Sequence, residues 1–164
     1  MALREWEPED AQWYADCVRD PDIQRFTTDP PTLTAADVRA AIIALRSAEP
    51  RGDGSLPDMG LLICDATSGE RLGNIAFAGR DAEISYWVAS PARGRGVATR
   101  AVRLLVDYAF DVLRADVLRL WTHSENAASG AVAERAGFVR EPSEDRQREV
   151  KGSVWTMYGY VRRR

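Results

Sequence analysis

Apolar residues near the start of the chain recur every three or four positions, which predicts two amphipathic helices. The first spans positions 10–19 and is ended by Pro21, because proline lacks the backbone N–H that a helix interior needs. The second begins at Thr34, whose hydroxyl can cap the N–H of Asp37, and continues to Leu45. The apolar positions of the two helices are Trp13, Tyr14, Cys17, Val18, Val38, Ala41, Ile42 and Leu45.

Three short apolar runs in the middle of the chain predict neighbouring β-strands. The runs at 59–64 and 72–77 are joined by a turn-rich connection, which is typical of an antiparallel hairpin. A third strand is predicted over Glu83–Val88. Its side chains alternate between the two faces of the sheet, with Ile84, Tyr86 and Val88 on one face and Glu83, Ser85 and Trp87 on the other.

Helices and strands alternate in the second half of the chain. A long helix is predicted over 97–113, because its apolar residues lie on one helical face. A strand at 117–122, a helix at 126–136 ended by Gly137, and closing strands at Phe138 and 154–161 follow. The order predicts a mixed α/β fold, with antiparallel strands first and one parallel crossover through the long helix.

Composition limits the kind of protein this can be. The 164 residues are 45% hydrophobic and 29% charged, without a linker or repeat, so we expect one globular domain over 1–164. A net charge of −3 argues against nucleic-acid binding. The absence of a leader-like start and of a long apolar run favours a cytoplasmic protein that does not bind membranes. The two cysteines predict neither a disulfide nor a metal site.

A glycine-rich loop between the third strand and the long helix carries the main chemical signal. The loop reads Arg93, Gly94, Arg95, Gly96, Val97, Ala98, Thr99. Glycines allow the backbone to approach an anion closely, and the first N–H groups of a helix point toward such an anion. Arg93 and Arg95 add positive charge, so the loop predicts a site for a phosphorylated ligand. The alternative is a glycine-rich turn in front of an ordinary helix.

Two other phosphate-binding loops do not fit this sequence. The dinucleotide fingerprint needs a third glycine where this chain has Thr99, and the P-loop needs a Gly-Lys-Ser/Thr sequence. The pattern Arg93-x-x-Gly96-x-Ala98 instead resembles the acetyl-CoA pyrophosphate loop of the GNAT superfamily of N-acetyltransferases, Arg/Gln-x-x-Gly-x-Gly/Ala. The segments that resemble the RimJ/RimL branch of ribosomal-protein N-terminal acetyltransferases are 20–26, 30–32, 73–75, Glu83–Val88 and 126–138.

This resemblance implies a splayed mixed sheet with helices on its faces and acetyl-CoA as the acetyl donor. The strands at Glu83–Val88 and 117–122 would form a V that receives the pantetheine arm along the backbone of Trp87, Val88 and Ala89. A free N–H of Val88 or Ala89 would polarise the thioester carbonyl, as acyl transfer requires. The chain departs from the branch at Ser85, where glycine is common.

The resemblance also suggests roles for individual side chains. Ser129, on the same predicted helix face as Asn126, matches the position proposed to meet the thiol, and its alternative role is to bond the helix N-terminus. Glu83 is the candidate base, or else a structural carboxylate at a sheet edge. Glu144 and Asp145 are weaker alternatives to it. His123 either borders the cofactor or is a polar residue at a strand end.

The expected reaction is transfer of an acetyl group from acetyl-CoA to a primary amine. An α-amine is neutral at pH 7 more often than a lysine side chain, which favours a protein N-terminus as acceptor, with small amines also allowed. The alternatives are a detoxifying acetyltransferase acting on an antibiotic or polyamine, and a non-catalytic acyl-CoA-binding module. Segments 27–31 and 49–58 are predicted to shape the acceptor entrance. We expect a monomer or a homodimer.

Overall fold

A computed structural model describes residues 1–49 and 52–164. Its strands are β1 (Ala2–Glu5), β2 (Met59–Cys64), β3 (Arg71–Ala78), β4 (Glu83–Val88), β5 (Val117–His123), β6 (Val139–Arg140), β7 (Arg146–Val150) and β8 (Ser153–Arg163). Its α-helices are α1 (Ala11–Cys17), α2 (Pro21–Phe26), α3 (Ala35–Arg46), α4 (Val97–Asp111) and α5 (Ala127–Arg135).

All eight strands belong to one open sheet in the order β1, β2, β3, β4, β5, β8, β6, with β7 also paired to β8. Neighbouring strands are antiparallel except β4 and β5. The long helix α4 makes the connection between these two parallel strands, as such a crossover requires. The mixed α/β fold with a single parallel crossover is therefore confirmed.

The parallel pair β4 and β5 separates soon after it begins. In the described residues, their pairing is confined to Glu83 beside Arg119, together with a bond from the Arg119 N–H to the Ala82 carbonyl. The carboxyl ends of the two strands therefore splay apart, which produces the V expected from the family resemblance.

Helices cover the two faces of the sheet unequally. The amphipathic helix α4 buries one side against the strands, where Leu105, Val106 and Ile84 are almost fully inaccessible to solvent. Helices α1 and α3 cover part of the opposite face, where Trp6 and Leu62 are buried. This second face, here called the open face, leaves the exposed side chain of Ser85 in the middle of the sheet.

Three elements differ from the sequence-based prediction. The chain does turn at Asp20 and Pro21, but α2 begins there, because the Asp20 side chain accepts bonds from two N–H groups and proline suits the first helical position. Strand β1 was not predicted, because its four residues show no clear alternation of apolar and polar side chains. Strand β7 was missed although Lys151 and Gly152, both with positive φ, form a tight hairpin turn.

Candidate active site

The splay of β4 and β5 opens a cleft with a volume of about 1140 Å³. Most of the predicted site residues line it: Glu83, Trp87, Val88, Arg93, Gly94, Gly96, Val97, Ala98, Thr99, Asn126 and Ser129. Ala89 and Arg95, which were also predicted, are not part of this lining. One cavity therefore brings together the phosphate loop and both candidate catalytic side chains.

The glycine-rich loop ends in an open helix N-terminus. Gly94 and Gly96 have φ values of 73° and 70°, which side-chain-bearing residues adopt only with strain. The first helical bond runs from the Arg100 N–H to the Gly96 carbonyl at 3.2 Å. The N–H groups of Val97, Ala98 and Thr99 precede that bond, so they remain available for an anion in the cleft.

The arginines of this loop are placed differently from the prediction. The Arg93 guanidinium pairs with Asp20 and Asp22, each at 2.8 Å, and its Nε donates to the Val88 carbonyl at 3.2 Å. Its charge is therefore already balanced, and its side chain fastens α2 to the end of β4. The Arg95 side chain is half exposed and lies 3.9 Å from Glu70. Any anion held here is bound mainly by backbone.

The register of β4 decides which of its N–H groups face the cleft. The Ala89 N–H donates to the Leu72 carbonyl at 2.9 Å, so Ala89 cannot provide the free donor considered above. Successive backbone N–H groups of a β-strand point to opposite sides of the strand. The Trp87 N–H therefore also faces β3, while the N–H groups of Tyr86 and Val88 face the gap between β4 and β5. Val88 is the remaining candidate for polarising a carbonyl.

Ser129 has a direct partner across the V. The side chain of Asn126 accepts the Ser129 N–H at 3.0 Å and caps α5, so the cap does not use the Ser129 hydroxyl. That hydroxyl lies 2.8 Å from the Tyr86 hydroxyl of β4. Burial raises the pKa of Tyr86 to about 12, which keeps it protonated and able to donate. Sequence reasoning missed this role of Tyr86, although its face of β4 was assigned.

Glu83 lies at the start of β4, on the open face and in the cleft. Both of its oxygens accept from Arg146, at 3.1 and 3.3 Å. The Arg146 guanidinium also lies over the Trp121 ring, 3.6 Å from its centre, which holds the pair in place. Arg146 belongs to the missed strand β7, so this partner could not be found from the sequence.

The other polar candidates have mainly structural contacts. Glu144 pairs with Arg119 at 3.4 Å and its carbonyl accepts from the Trp121 indole, while Asp145 pairs with Arg140 at 2.6 Å. Neither lines the cleft. His123 does line it, but its Nδ1 accepts the Glu125 N–H at 3.1 Å, which leaves that nitrogen unavailable as a base.

The predicted entrance segments only partly reach the cleft. Thr27, Thr28 and Asp29 line it, and so does Asp58. Positions 50 and 51 of the segment 49–58 lie outside the described residues. Within the described ranges, no cluster of three or more potential metal ligands occurs, and no helix is long and apolar enough to cross a membrane.

The same fold is found in known proteins. Residues 1–139 match the acetyltransferase (GNAT) domain family. The chain belongs to this family. That result confirms the resemblance drawn from the phosphate loop. The chain is 40% identical over 70 residues to "Putative ribosomal N-acetyltransferase YdaF" of Bacillus subtilis, which supports the RimJ/RimL branch. This match covers 43% of the chain but only 38% of the relative's length.

Solved structures extend the similarity of this GNAT protein over nearly the whole chain. A spermidine N-acetyltransferase from Vibrio cholerae, in complex with CoA and spermine, superposes with a TM-score of 0.80 at 17% identity, over 99% of this chain and 94% of the other. A ribosomal-protein-S5-alanine acetyltransferase from Vibrio fischeri superposes with a TM-score of 0.81 at 15% identity, over 98% and 91%. At these identities the likeness establishes the fold.

Proposed function

We propose that this GNAT protein is an acetyl-CoA-dependent N-acetyltransferase acting on a primary amine, either the N-terminus of a protein or a small molecule. The observation that carries the proposal is the cleft between β4 and β5, which joins an open helix N-terminus to a free strand edge and to the Ser129 hydroxyl. Anion binding, backbone pairing and acyl-transfer chemistry are the three functions that such a cleft combines.

The residues present fit acetyl-CoA. The N–H groups of Val97, Ala98 and Thr99 would bind its pyrophosphate, and an added Cβ at Gly94 would meet no atom within 4 Å, so the loop leaves open space where phosphate would lie. The Tyr86 N–H and the carbonyls of Tyr86 and Val88 on the edge of β4 would pair with the amides of the pantetheine arm, as an added strand does, which leaves the Val88 N–H free for the acyl group. Asn126 lines the same path.

Acetyl-CoA supplies an acetyl group activated as a thioester, and the protein would position and polarise it. The Val88 N–H would donate to the acyl oxygen, where negative charge develops. The Ser129 hydroxyl, oriented by Tyr86, would donate to the departing sulfur. Glu83 lies five residues before Val88 on the same strand, about 16 Å away, so it would accept the proton of the incoming amine through water on the open face, in competition with Arg146 for the same oxygens.

The relatives support two kinds of acceptor. One is named as a ribosomal N-acetyltransferase and another as a spermidine N-acetyltransferase, so a protein N-terminus and a small amine are both within the range of this fold. The open cleft is compatible with either. A cytoplasmic location and a monomeric or dimeric state remain predictions from the sequence.

A thiol-release assay tests the proposal directly. Purified protein is mixed with acetyl-CoA and a panel of short peptides, polyamines and simple primary amines, and acetylated products are identified by mass spectrometry. We expect amine-dependent release of CoA with an equal amount of N-acetyl product. Tight acetyl-CoA binding without any transfer across the panel would contradict the enzymatic proposal and favour a binding module.

A further inference from the structure

A second cavity of about 380 Å³ opens beneath α3, on the open face of the sheet. We call it the side pocket. Its wall is mainly apolar and is formed by Trp6, Tyr14, Leu33, Val38, Ala41, Ile42 and Leu45, together with the backbone of β2. None of the residues assigned above to acetyl-CoA or to proton transfer lines it.

The side pocket is continuous with the main cleft. Both cavities are lined by Tyr14, Asp29, Leu45, Asp58, Met59, Gly60, Asn74 and Ala76. The shared floor follows the sheet register, in which Gly60 pairs with Ala76 and Ala76 pairs with Ser85. These three small residues share the open face on neighbouring strands, so a shallow groove runs from the side pocket to β4 beside Glu83.

The charge around the side pocket favours a cationic or neutral ligand over an anion. Carboxylates of Glu5, Asp29 and Asp37 line it, against a single lining arginine, Arg46, which itself lies 3.7 Å from Glu5. Asp29 is on the wall shared with the main cleft and is held by the Tyr14 hydroxyl at 2.9 Å. A free amino acid, with its own carboxylate, is disfavoured in such surroundings.

We propose that the side pocket binds an apolar substituent of the acceptor, and so selects amines that carry a hydrophobic group over short or anionic ones. The inference deepens the proposed function, on which it rests. The amine lies along the Ser85 groove toward Glu83, and its apolar group lies under α3. An apolar cavity of ~150 Å³ holds a benzene molecule, so 380 Å³ accommodates one aromatic ring or an alkyl chain of several carbons.

A homologous series of amines tests the side pocket by binding and by turnover. CoA-saturated protein is titrated calorimetrically with ethylamine, butylamine, hexylamine and 2-phenylethylamine, and kcat/KM for each is measured with acetyl-CoA. Burial of one methylene is worth about a fourfold gain in affinity. We therefore expect the affinity to rise about threefold to fourfold per added carbon, until the side pocket is filled.

Two neighbouring alanines of α3 provide a matched pair of variants. Ala41 lines the side pocket and Ala40 does not, while both are exposed helix positions. Ala41→Phe should abolish the dependence on chain length and leave ethylamine unchanged, whereas Ala40→Phe should behave like the original protein. Ala76→Leu, which narrows the groove from the sheet side, should also abolish the dependence on chain length. Melting temperatures confirm that each variant is folded.

The outcomes separate this inference from the proposed function. Chain-length dependence that is absent in the original protein, or that persists in both Ala41→Phe and Ala76→Leu, overturns the side-pocket assignment, while turnover of short amines still supports the enzyme. If binding depends on chain length and Ala41→Phe removes that dependence, the side-pocket assignment is supported. It would be supported even if no amine were acetylated, a result that would overturn the proposed function alone.

Discussion

The two sides of the cleft are formed by different kinds of chemical groups. The proposed acetyl-CoA side consists mainly of backbone groups from one continuous stretch, β4, the glycine loop and the start of α4, with the side chains of Asn126 and Ser129 beside them. The proposed acceptor side consists of side chains from distant segments, such as Glu83 of β4, Arg146 of β7 and Ala41 of α3. A local motif can therefore encode the first side, whereas the second exists only after the chain has folded.

This difference also determines which side of the cleft can change its properties through single substitutions. Backbone donors at a helix N-terminus bind phosphate whatever side chains surround them, provided that the glycines keep their positive φ. The acceptor side can change its shape by exchanging single side chains on α3 or β3, without affecting the phosphate loop. Substitutions should consequently alter either donor binding or acceptor selection, with few altering both.

The largest expected effect is that of replacing Ser129, where the acetyl-CoA side and the acceptor side of the cleft meet. Ser129→Ala should lower kcat by about 10²–10⁴-fold, the range for a positioned acid, with acetyl-CoA affinity unchanged. Stability should change little, because Asn126 rather than the Ser129 hydroxyl caps α5. Steady-state kinetics and a melting curve on the same sample check this. Full activity in a folded Ser129→Ala protein would remove Ser129 from the mechanism.

Tyr86→Phe sharpens the same prediction. Loss of a neutral hydrogen bond costs about 1 kcal/mol, so we expect a decrease in kcat of about fivefold, well below that of Ser129→Ala. An equal loss in both variants would indicate that Tyr86 itself contacts the reacting atoms. No loss would show that the 2.8 Å contact between the two hydroxyls does not orient Ser129.

Glu83→Gln tests the acceptor side alone. If Glu83 takes the proton of the amine, kcat/KM should fall by about 10²-fold. Acetyl-CoA affinity, measured by calorimetry, should not change. An unchanged kcat/KM in this variant would assign Glu83 only the ion pair with Arg146.

Asp10 tests the stability of the acceptor side. This carboxylate is 1% exposed and pairs with Arg4 and Arg71, each at 2.7 Å. Burial alone would raise its pKa, but bonds from Arg4, the Glu7 N–H and Arg71 lower it from 3.8 to about 2. The difference corresponds to about 2 kcal/mol of stability.

Because the pKa of Asp10 is lowered by folding, this stabilisation is complete above about pH 4 and is lost as the pH falls toward 2. Asp10→Asn should therefore reduce the free energy of unfolding by about 2 kcal/mol at pH 7 and much less at pH 2. Urea unfolding at several pH values measures this. An equal loss at every pH would show that the carboxylate's charge is not responsible.

A matched pair of glycines tests the donor side. Gly94 and Gly152 have φ values of 73° and 75°, and an added Cβ would meet no atom within 4 Å at either position. Gly94→Val and Gly152→Val should thus be destabilised alike, but only the former should weaken acetyl-CoA binding, by about tenfold. Gly96 is a less clean test, since a Cβ there lies 3.2 Å from the Arg100 guanidinium.

Equal acetyl-CoA affinity in Gly94→Val and Gly152→Val would contradict the assignment of the loop. Calorimetry with CoA, performed on both variants at a temperature below their melting points, gives the comparison directly.

Local patterns in the sequence identified the family, the order of the central strands and the larger helices, and the position of the glycine-rich loop. Apolar periodicity located α3, α4 and the central strands because each buries one face, and Gly94 and Gly96 marked the loop because local backbone geometry requires them. The sequence also singled out Ser129 and Glu83, which both line the cleft. These features depend on interactions within a few residues, or on a resemblance carried by short motifs.

Only the tertiary structure decided the partners of those residues. Strand pairing turned the Ala89 N–H toward Leu72 and left that of Val88 at the cleft, and α2 drew the Arg93 charge to Asp20 and Asp22. The groove from the side pocket to β4 likewise exists because the register places Gly60, Ala76 and Ser85 side by side. Such contacts join positions far apart in the chain, and no local periodicity or motif encodes them.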